Sequence, residues 1–364
     1  MPSLRELLVA SSRTFAVGIR ILPRPLRREV TVAYLLLRVS DYLEDNGELG
    51  ADEKVALLQN WRRVLAGEGA RQALIARLRE ARDDTPDALV ARHSATVLAG
   101  LDGLAAPAKD ILIRRVGESS AGMARWTERG SRFETEAELD DYMHEVAGRV
   151  GHLLTELFTL RLPGTRSARE RLMSLGREFG LALQTVNVIR GLHEDRDRGW
   201  VYVPAAFVPD RRVRTSELFE PENLDAAMAV LARLVTKADG HLAAARAYVR
   251  LIPRRYHRVR LFCLLPLFFA VRTLAISRAN PDVLRRETKM TRREVRAITR
   301  RAMVLGFSNG WIERYCRRLA SAPLRREGET THLAGVGSAQ PEGEGSADPP
   351  AHPVPPTPQR ISSP

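Results

Sequence analysis

Side chains that carry oxygen atoms recur at the spacing of helical turns in two stretches, and this feature constrains the fold most. The stretches are YLLLRVSDYLED at 34–45 and GLALQTVNVIRGLHEDRDRGWVYVP at 180–204. Their oxygen-bearing residues are Asp41, Glu44, Asp45, Asn187, Glu194 and Asp195. Residues one and two turns apart share one face of a helix. Each stretch therefore predicts a helix with an oxygen-rich stripe.

The acidic stripes raise the question of what balances their charge. Carboxylates that crowd together are unfavourable unless a cation lies between them. Mg²⁺ prefers oxygen ligands and takes one or two carboxylates together with water and substrate phosphates; Mn²⁺ accepts similar ligands. The alternative is a solvated acidic helix end at 34–45 and a salt-bridged surface turn at 180–204. Because both stretches are embedded in apolar segments, the pair favours a magnesium site.

The apolar periodicity elsewhere is helical, and no strand alternation persists. Helices are predicted over 3–22, 27–45, 51–82, 86–105, 106–125, 138–161, 222–252, 255–280 and 291–320, with one more leading into the second acidic stretch. We therefore expect an all-α fold with one large helical domain over 1–320. Residues 321–364 are rich in Gly, Pro, Ser and Glu, and we expect a disordered tail there. The helices over 51–82 and 86–105 carry no visible chemistry and are assigned to packing.

A net charge of +13 makes nucleic acid a partner to consider. Much of the excess lies in arginine-rich segments at 250–260 and 285–301. No zinc-finger spacing or RNA-binding strand motif accompanies them, and aromatic residues make up only 6% of the chain. Anionic lipid headgroups or diphosphates account for the charge equally well. We therefore expect no nucleic-acid partner.

The cysteines and the apolar segments indicate where the protein resides. Cys263 and Cys316 give neither a disulfide framework nor zinc spacing, so a reducing, cytoplasmic setting is expected. Residues 1–8 lack the apolar core of a signal peptide. The stretch LFCLLPLFFAV at 261–271 is shorter than the ~20 residues that span a bilayer. We expect a buried core helix there, and a protein that meets the inner face of the membrane only peripherally, through basic surface.

Two shorter segments indicate further contacts. Ser12 and Arg13 lie in SRTF, whose hydroxyl, guanidinium and backbone donors suit a phosphate; a helix cap at Ser11 or Ser12 is the alternative. The segment YMHEVAGRVG contains Gly148 and Gly151 inside a predicted helix. Glycine there costs about 1 kcal/mol relative to alanine, so close approach of another helix or a ligand is expected.

Four segments, taken in order over about residues 11–300, resemble the squalene/phytoene synthase family of head-to-head prenyl synthases. SRTF resembles the family's SRSF, and YLLLRVSDYLED resembles its YxxxRxxDxxED block. YMHEVAGRVG resembles Y-C-x-x-VAG-x-VG, and the second acidic stretch resembles G-x-x-x-Q-x-x-N-I-x-R-D-x-x-x-D followed by an aromatic-x-P. The resemblance implies an isoprenoid-synthase type of helical bundle around a central apolar cavity.

The resemblance also implies an activity and a set of residues. It implies Mg²⁺-dependent condensation of two farnesyl diphosphates through presqualene diphosphate, and we expect the enzyme to be a monomer. Geranylgeranyl diphosphate stays open as the substrate. The oxygen-bearing residues named above are the implied metal ligands. The implied diphosphate-binding residues are Ser12, Arg13, Arg38 and Arg190. The implied catalytic residues are Tyr34, Arg38, Tyr142, Gln184 and Arg190.

A fifth segment, FCLLPLFFAVRTLAISRANPDVLRRETKM at 262–290, resembles a helix and the lysine-containing loop that follows it in squalene synthases. That loop helps to hold NADPH for the reductive step, so the resemblance assigns Lys289 to the cofactor and squalene to the product. The alternatives are a phytoene or dehydrosqualene synthase, which performs no hydride transfer, and a degenerate protein that binds prenyl diphosphates without turnover.

Three residues depart from the family pattern. Gly191 stands where the second acidic motif usually begins with Asp, which removes one carboxylate from the stripe, and Glu194 or water is the expected substitute. Trp200 replaces an arginine two residues before the closing aromatic, with Arg198 nearby. Arg149 occupies a position that is normally small or apolar. The loss at Gly191 is what motivates the degenerate alternative.

Overall fold

The computed structural model describes residues 2–130, 132–197, 199–210, 212–286 and 288–322, without the side chains of residues 13, 14 and 197. Over these residues the chain forms α-helices and short 3₁₀ or π turns and contains no strand, which confirms the all-α prediction. The helices belong to one compact unit. The tail predicted at 321–364 lies outside the described residues after Ala322.

The α-helices are numbered in chain order. They are α1 Leu4–Ser11, α2 Arg13–Ile21, α3 Arg24–Asp45, α4 Ala51–Ala66, α5 Arg71–Arg79, α6 Pro86–Arg92, α7 Ser94–Asp102, α8 Ala106–Arg129, α9 Glu136–Met143, α10 Arg149–Arg161, α11 Arg169–Asp197, α12 Leu224–Leu251, α13 His257–Ser277, α14 Arg292–Leu305 and α15 Asn309–Ser321. A π-helical turn, His144–Gly148, joins α9 to α10.

Several predicted helices are divided by local backbone chemistry. The helix predicted over 3–22 breaks at Ser12, which is extended (φ −160°, ψ 116°) and accepts the Phe15 N–H at 3.2 Å as the cap of α2. The helix predicted over 291–320 divides between α14 and α15, where the Ser308 hydroxyl accepts the Trp311 N–H. The stretches 51–82 and 86–105 each contain two helices.

The π turn lies within the YMHEVAGRVG segment, and the glycines there permit backbone contact with α11. A Cβ at Gly151 would collide with the Gly176 carbonyl oxygen, and a Cβ at Gly180 would collide with the Ala147 carbonyl. The close helix approach predicted from these small residues is therefore confirmed. It holds α11, which carries the second acidic stretch, directly against the segment that carries Tyr142.

The most apolar stretch lies in α13, which passes through the core with nearly every apolar side chain buried. Arg254–Ser277 is long and apolar enough to cross a membrane, and 83% of its most apolar window is buried inside the protein. The prediction of a buried core helix is confirmed, although the length argument behind it is wrong because the helix extends well beyond 261–271. Burial within the fold, rather than length, identifies it as a core helix.

Two buried arginines join α13 to the last helices. Arg260 is fully buried and donates to the carbonyl oxygens of Val249 (3.0 Å) and Ile252 (2.7 Å), at the end of α12. It also donates to Asn309 Oδ1 at 2.6 Å, at the start of α15. Arg272 pairs with Glu294 of α14 at 2.8 Å. These contacts satisfy orphan carbonyls at a helix end and fix α14 and α15 against the core.

Candidate active site

The C-terminal end of α3 places an arginine between carboxylates from two helices. Arg38 donates to Asp41 at 3.1 Å, and it also contacts Asp87 in the first turn of α6. The Nε atom of Arg38 is buried and has no hydrogen-bond partner among the described residues. Arg38 is therefore held in position by two carboxylates and keeps a donor that an anionic ligand can use.

Asp87 contacts Arg38, a predicted site residue, and the sequence analysis did not single it out. The helices over 86–105 were assigned to packing. Thr85 caps α6 by accepting the Ala88 N–H at 3.2 Å, and Pro86 occupies its first position. The same start signal was visible in the sequence, but its proximity to Arg38 is set by tertiary packing.

At this end of α3, burial and neighbouring charges disfavour the ionised form of two carboxyl groups. Burial raises the pKa of Asp41 to about 7; Arg38 opposes the shift, while Asp45 and Asp87 add to it. Burial, followed by the charges of Asp45 and Asp41, raises the pKa of Glu44 well above its ordinary value. The Oε1 atom of Glu44 is buried and lacks a hydrogen-bond partner among the described residues. This end of α3 therefore favours a cation.

Replacing Glu44 with glutamine is expected to stabilise the metal-free protein at alkaline pH. The raised pKa means that folding must either protonate Glu44 or bury its charge, so this residue costs stability as pH rises above the pKa of the unfolded state. Thermal unfolding in EDTA at about pH 8 should occur roughly 2–4 °C higher in Glu44→Gln. The difference should disappear near pH 4, where the unfolded chain also protonates Glu44.

The matched control is Glu68→Gln, which makes the same change at an exposed position after α4. It should leave the unfolding temperature unchanged at both pH values. A Glu44→Gln protein that unfolds below the wild type at about pH 8 would show that the Glu44 charge is compensated in the free protein.

A pair of tyrosines lies beside these carboxylates. The hydroxyl groups of Tyr142 and Tyr202 are 3.3 Å apart, and their rings stack with centroids separated by 5.3 Å. Burial, followed by the charge of Glu44, raises the pKa of Tyr142 well above its ordinary value. Both hydroxyls therefore stay neutral at physiological pH.

Further aromatic rings surround this pair. Trp126 and Phe133 pack on Tyr142 with centroid separations of 5.8 and 5.7 Å, and Trp200 stacks on Tyr202 at 5.7 Å. Ring faces attract cations, most strongly where water is excluded. Arg129 occupies the Trp126 face in this way, with 4.7 Å from its Cζ atom to the ring centroid, and the other rings pack on one another. The members of this aromatic cluster come from α8, two loops and α9, so no single sequence stretch revealed it.

Both acidic motifs converge on Tyr202. Burial raises the pKa of Tyr202, and the charges of Asp45, Glu44 and Asp195 add to that increase. Asp195 therefore lies within electrostatic reach of the same hydroxyl as the α3 carboxylates, although it belongs to α11. Both acidic stretches thus lie near one tyrosine, while their sharing of a metal site stays a prediction.

The predicted residues of α11 share one side of that helix, but they differ in exposure. Asp195 and Gln184 are half-buried. Asn187, Arg190 and Glu194 are exposed. Their functional roles stay predictions.

The oxygen-bearing side chains at this site fit a hard divalent cation only if oxygen atoms of a substrate or of water complete its coordination. Among the described residues, no three His, Cys, Asp or Glu side chains lie close enough together to hold one ion. The buried, unpartnered Glu44 oxygen and the raised pKa of Asp41 nevertheless call for positive charge. Mg²⁺ characteristically takes one or two carboxylates and fills its other positions with water and phosphate oxygens. The residues fit that mode of binding.

The start of α2 adjoins Tyr34. The Ser12 hydroxyl acts as the helix cap, so the capping alternative is present, and Arg13 begins α2 with a side chain outside the described set. Tyr34 is mostly buried; burial raises its pKa, while Ser11 and Ser12 lower it through their hydroxyls. Phe15 packs on the Tyr34 ring at 5.7 Å. The N-terminus of α2 is thus close to the site, and helix N-termini favour anions.

Each departure from the family pattern has a structural counterpart. At Gly191, an added Cβ would lie 3.1 Å from Asp195 Oδ2, so the Asp195 carboxylate already lies against this position. Arg149 pairs with Glu118 at 2.9 Å and with Glu145, in a surface groove between α8 and α10. Trp200 belongs to the aromatic cluster. Arg198 lies outside the described residues.

Lys289 lies in the connection before α14 and is exposed. The preceding 3₁₀ turn, Pro281–Leu284, packs against α11. The loop is therefore anchored beside the helix that carries the second acidic motif. Its assignment to NADPH stays a prediction.

The squalene/phytoene synthase family model matches residues 8–294. Squalene synthase ERG9 of Gibberella zeae is 29% identical over 80% of this chain and 62% of its own length. The Homo sapiens squalene synthase is 30% identical over 79% of this chain and 66% of its own length. The chain thus spans slightly less than two thirds of these curated relatives.

Solved structures agree on the fold. A complex of TcSQS with the ligand BPH1237 superposes with a TM-score of 0.74 at 23% identity, covering 90% of this chain and 92% of that one. A dehydrosqualene synthase complex gives a TM-score of 0.57 at 17% identity, covering 86% and 95%. Because the family model covers more than half of the sequence, the chain belongs to the squalene/phytoene synthase family.

Proposed function

We propose that this protein is a farnesyl-diphosphate farnesyltransferase that joins two farnesyl diphosphates head to head, through presqualene diphosphate, to squalene. The observation that carries the proposal is the convergence of both acidic motifs on Tyr202, beside Tyr142. This arrangement puts carboxylates, a buried tyrosine pair and aromatic rings in one place. Family membership and the 28–30% identity to squalene synthases support the same reaction.

The diphosphate groups would bind at the acidic end of α3. Asp41, Glu44 and Asp45 would hold Mg²⁺ on one side, and Asn187, Glu194 and Asp195 would hold it on the other. When bound, Mg²⁺ neutralises the charge that develops on a leaving diphosphate. Arg38, Arg190 and the SRTF segment with Ser12 and Arg13 would add donors to the diphosphate oxygens.

Tyr142 would act where the coupled cation loses its proton. A carbocation is strongly acidic, so a neutral phenol oxygen is basic enough to take or relay that proton. The 3.3 Å contact with Tyr202 orients the Tyr142 hydroxyl. Tyr34 and Gln184 would position the first substrate, and the buried apolar helices would exclude water from the cations.

The reductive step would use NADPH, with Lys289 as the residue that contacts its phosphate. Lys289 is exposed and so accessible to a large cofactor. The preceding turn packs against α11, the helix that carries the second acidic motif, and this contact supports a cofactor site beside that helix.

The protein would work as a monomer in the cytoplasm, peripherally bound to the inner face of the membrane, where its apolar substrate and product partition. Two buried free cysteines suit a reducing compartment. The net charge of +13 favours an anionic surface.

Turnover of purified protein with farnesyl diphosphate and Mg²⁺, with and without NADPH, tests the proposal. Squalene that forms only with NADPH is the expected result. Presqualene diphosphate or a desaturated C30 hydrocarbon in both assays would support the condensation step and contradict the reductive step. No product from farnesyl diphosphate, followed by product from geranylgeranyl diphosphate, would reassign the substrate. Binding of both without turnover, in Mg²⁺ or Mn²⁺, would favour the degenerate alternative.

A further inference from the structure

The turn between α14 and α15 exposes a run of large apolar side chains. Met303, Val304, Leu305 and Phe307 are all exposed, and Val304 is 64% accessible to solvent. Almost all other large apolar side chains of the described chain are buried or half-buried. Isolated exposed apolar residues are ordinary, but a contiguous group marks a surface that another phase or molecule covers.

One further exposed apolar side chain, that of Val17 on α2, belongs to the same region. His257 Nε2 lies 3.1 Å from the Met303 carbonyl oxygen, and its ring packs edge-on to Phe307. The next residue, Arg258, donates to the Ile21 carbonyl at 2.5 Å. The turn and the end of α2 therefore flank the first turn of α13. Val17 lies one helical turn before Ile21, on the same side of α2. We call Val17, Met303, Val304, Leu305 and Phe307 the docking face.

Exposed arginines lie along α14, whose last turn carries much of the docking face, and around the start of α13. They are Arg254, Arg255, Arg258, Arg292, Arg293, Arg296, Arg300 and Arg301. Within the described part of the chain, no carboxylate pairs with any of them. Glu294, the single acidic residue of α14, is paired with Arg272. Among the described residues, acidic side chains therefore do not balance the charge here.

Nucleic acid and an anionic bilayer are the two candidate partners for a face that combines arginines with exposed apolar side chains. Nucleic acid would neutralise the arginines but would leave the aliphatic side chains in water. An anionic bilayer accommodates both, because its headgroups pair with arginines and its acyl boundary takes up aliphatic and aromatic side chains. The composition of the face therefore favours lipid.

We propose that the docking face inserts into an anionic lipid bilayer while the eight arginines pair with its phosphates. This deepens the peripheral association proposed above, because it names the surface, the lipid chemistry and an apolar contribution beyond charge. One residue of the face, Val17, lies on α2, the helix whose Phe15 packs on Tyr34 at the site.

Vesicle binding of the full chain tests this without relying on turnover. The wild type should cosediment with vesicles of phosphatidylcholine and phosphatidylglycerol but not with phosphatidylcholine alone. Arg300→Gln/Arg301→Gln should weaken binding at least roughly tenfold, since each arginine near an anionic surface contributes to attraction. The matched control is Arg63→Gln/Arg79→Gln, which removes two exposed arginines from α4 and α5 and should bind as the wild type does.

A fluorescent probe distinguishes insertion from simple electrostatic attraction. Both native cysteines are buried, so Val304→Cys can be labelled selectively with an environment-sensitive dye. Its emission should shift to the blue with anionic vesicles and be quenched by spin-labelled lipid. A dye at Gln72→Cys, exposed on α5, should respond to neither. Salt screens the attraction between the arginines and the headgroups, so the binding that remains in high salt reports the apolar contribution. In high salt, Val304→Ser/Phe307→Ser should therefore bind more weakly than the wild type.

Three results would overturn the proposal. They are absence of wild-type binding to the anionic vesicles, equal binding by the Arg300/Arg301 variant and its control, and no spectral change at position 304 in bound protein. Turnover in detergent should be the same for the docking-face variants and the wild type. Loss of condensation activity in every protein, with vesicle binding intact, would contradict the proposed reaction and leave the docking face standing.

Discussion

Replacing Asp45 with asparagine is expected to lower kcat/KM for farnesyl diphosphate by at least about 100-fold, with the fold intact. Asp45 lies at the exposed end of α3 and contributes charge to Asp41, Glu44 and Tyr202. Its charge thus acts on three groups on this side of the site. Its removal leaves a diphosphate facing fewer bound cations, so binding and ionisation both weaken.

The measurement is steady-state turnover across a Mg²⁺ titration, with Glu48→Gln as the control. Glu48 is exposed three residues further along, and its substitution makes the same charge change outside the stripe. Asp45→Asn should require more Mg²⁺ for half-maximal rate, whereas Glu48→Gln should match the wild type. Equal rates and equal Mg²⁺ requirements in the two variants would contradict the role of Asp45 as a metal ligand.

The acidic stripes illustrate what sequence could determine. The spacing of Asp41 and Asp45 fixed their common face, because helical periodicity is a local property of the chain. The all-α class followed from the same periodicity. Helix boundaries were less accurate, since the breaks at Ser12 and between α14 and α15 depend on single capping hydrogen bonds.

The parts of the site that the sequence did not reveal are contacts between distant elements. Asp87 reaches Arg38 because α6 packs on α3. Phe133 joins the aromatic cluster because its carbonyl accepts the Ala205 N–H at 2.8 Å, which draws the loop after α11 beside α9. Neither contact leaves a periodic signal in sequence. Such side chains are found only when the packing is known.

Gly191 is a lost carboxylate in the sequence, and the fold keeps it so. The Asp195 carboxylate lies close to where a side chain at 191 would begin. Asp195 is itself one of the implied ligands, so its carboxylate does not replace the lost one. A metal ion there would take water or a substrate oxygen in its place.

Replacing Tyr142 with phenylalanine is expected to slow formation of the C30 product by roughly 100-fold, the scale of a lost general acid–base group. Loss of the hydroxyl should affect proton removal after coupling more than it affects ionisation of the allylic diphosphate. The intact reaction releases two diphosphates for each squalene, so this variant should release more than two for each squalene formed, with farnesol accounting for the excess. Quantifying released diphosphate and hydrocarbon in the same reaction measures this uncoupling.

Tyr202→Phe is the matched control, because it breaks the same 3.3 Å contact from the other side and keeps the Tyr142 hydroxyl. If Tyr142 takes or relays the proton, Tyr202→Phe should retain most of the coupling and most of the rate. If the hydrogen bond only maintains packing, the two variants should lose activity alike and release diphosphate in step with product. Because phenylalanine keeps the ring that stacks at either position, the comparison isolates the Tyr142 oxygen.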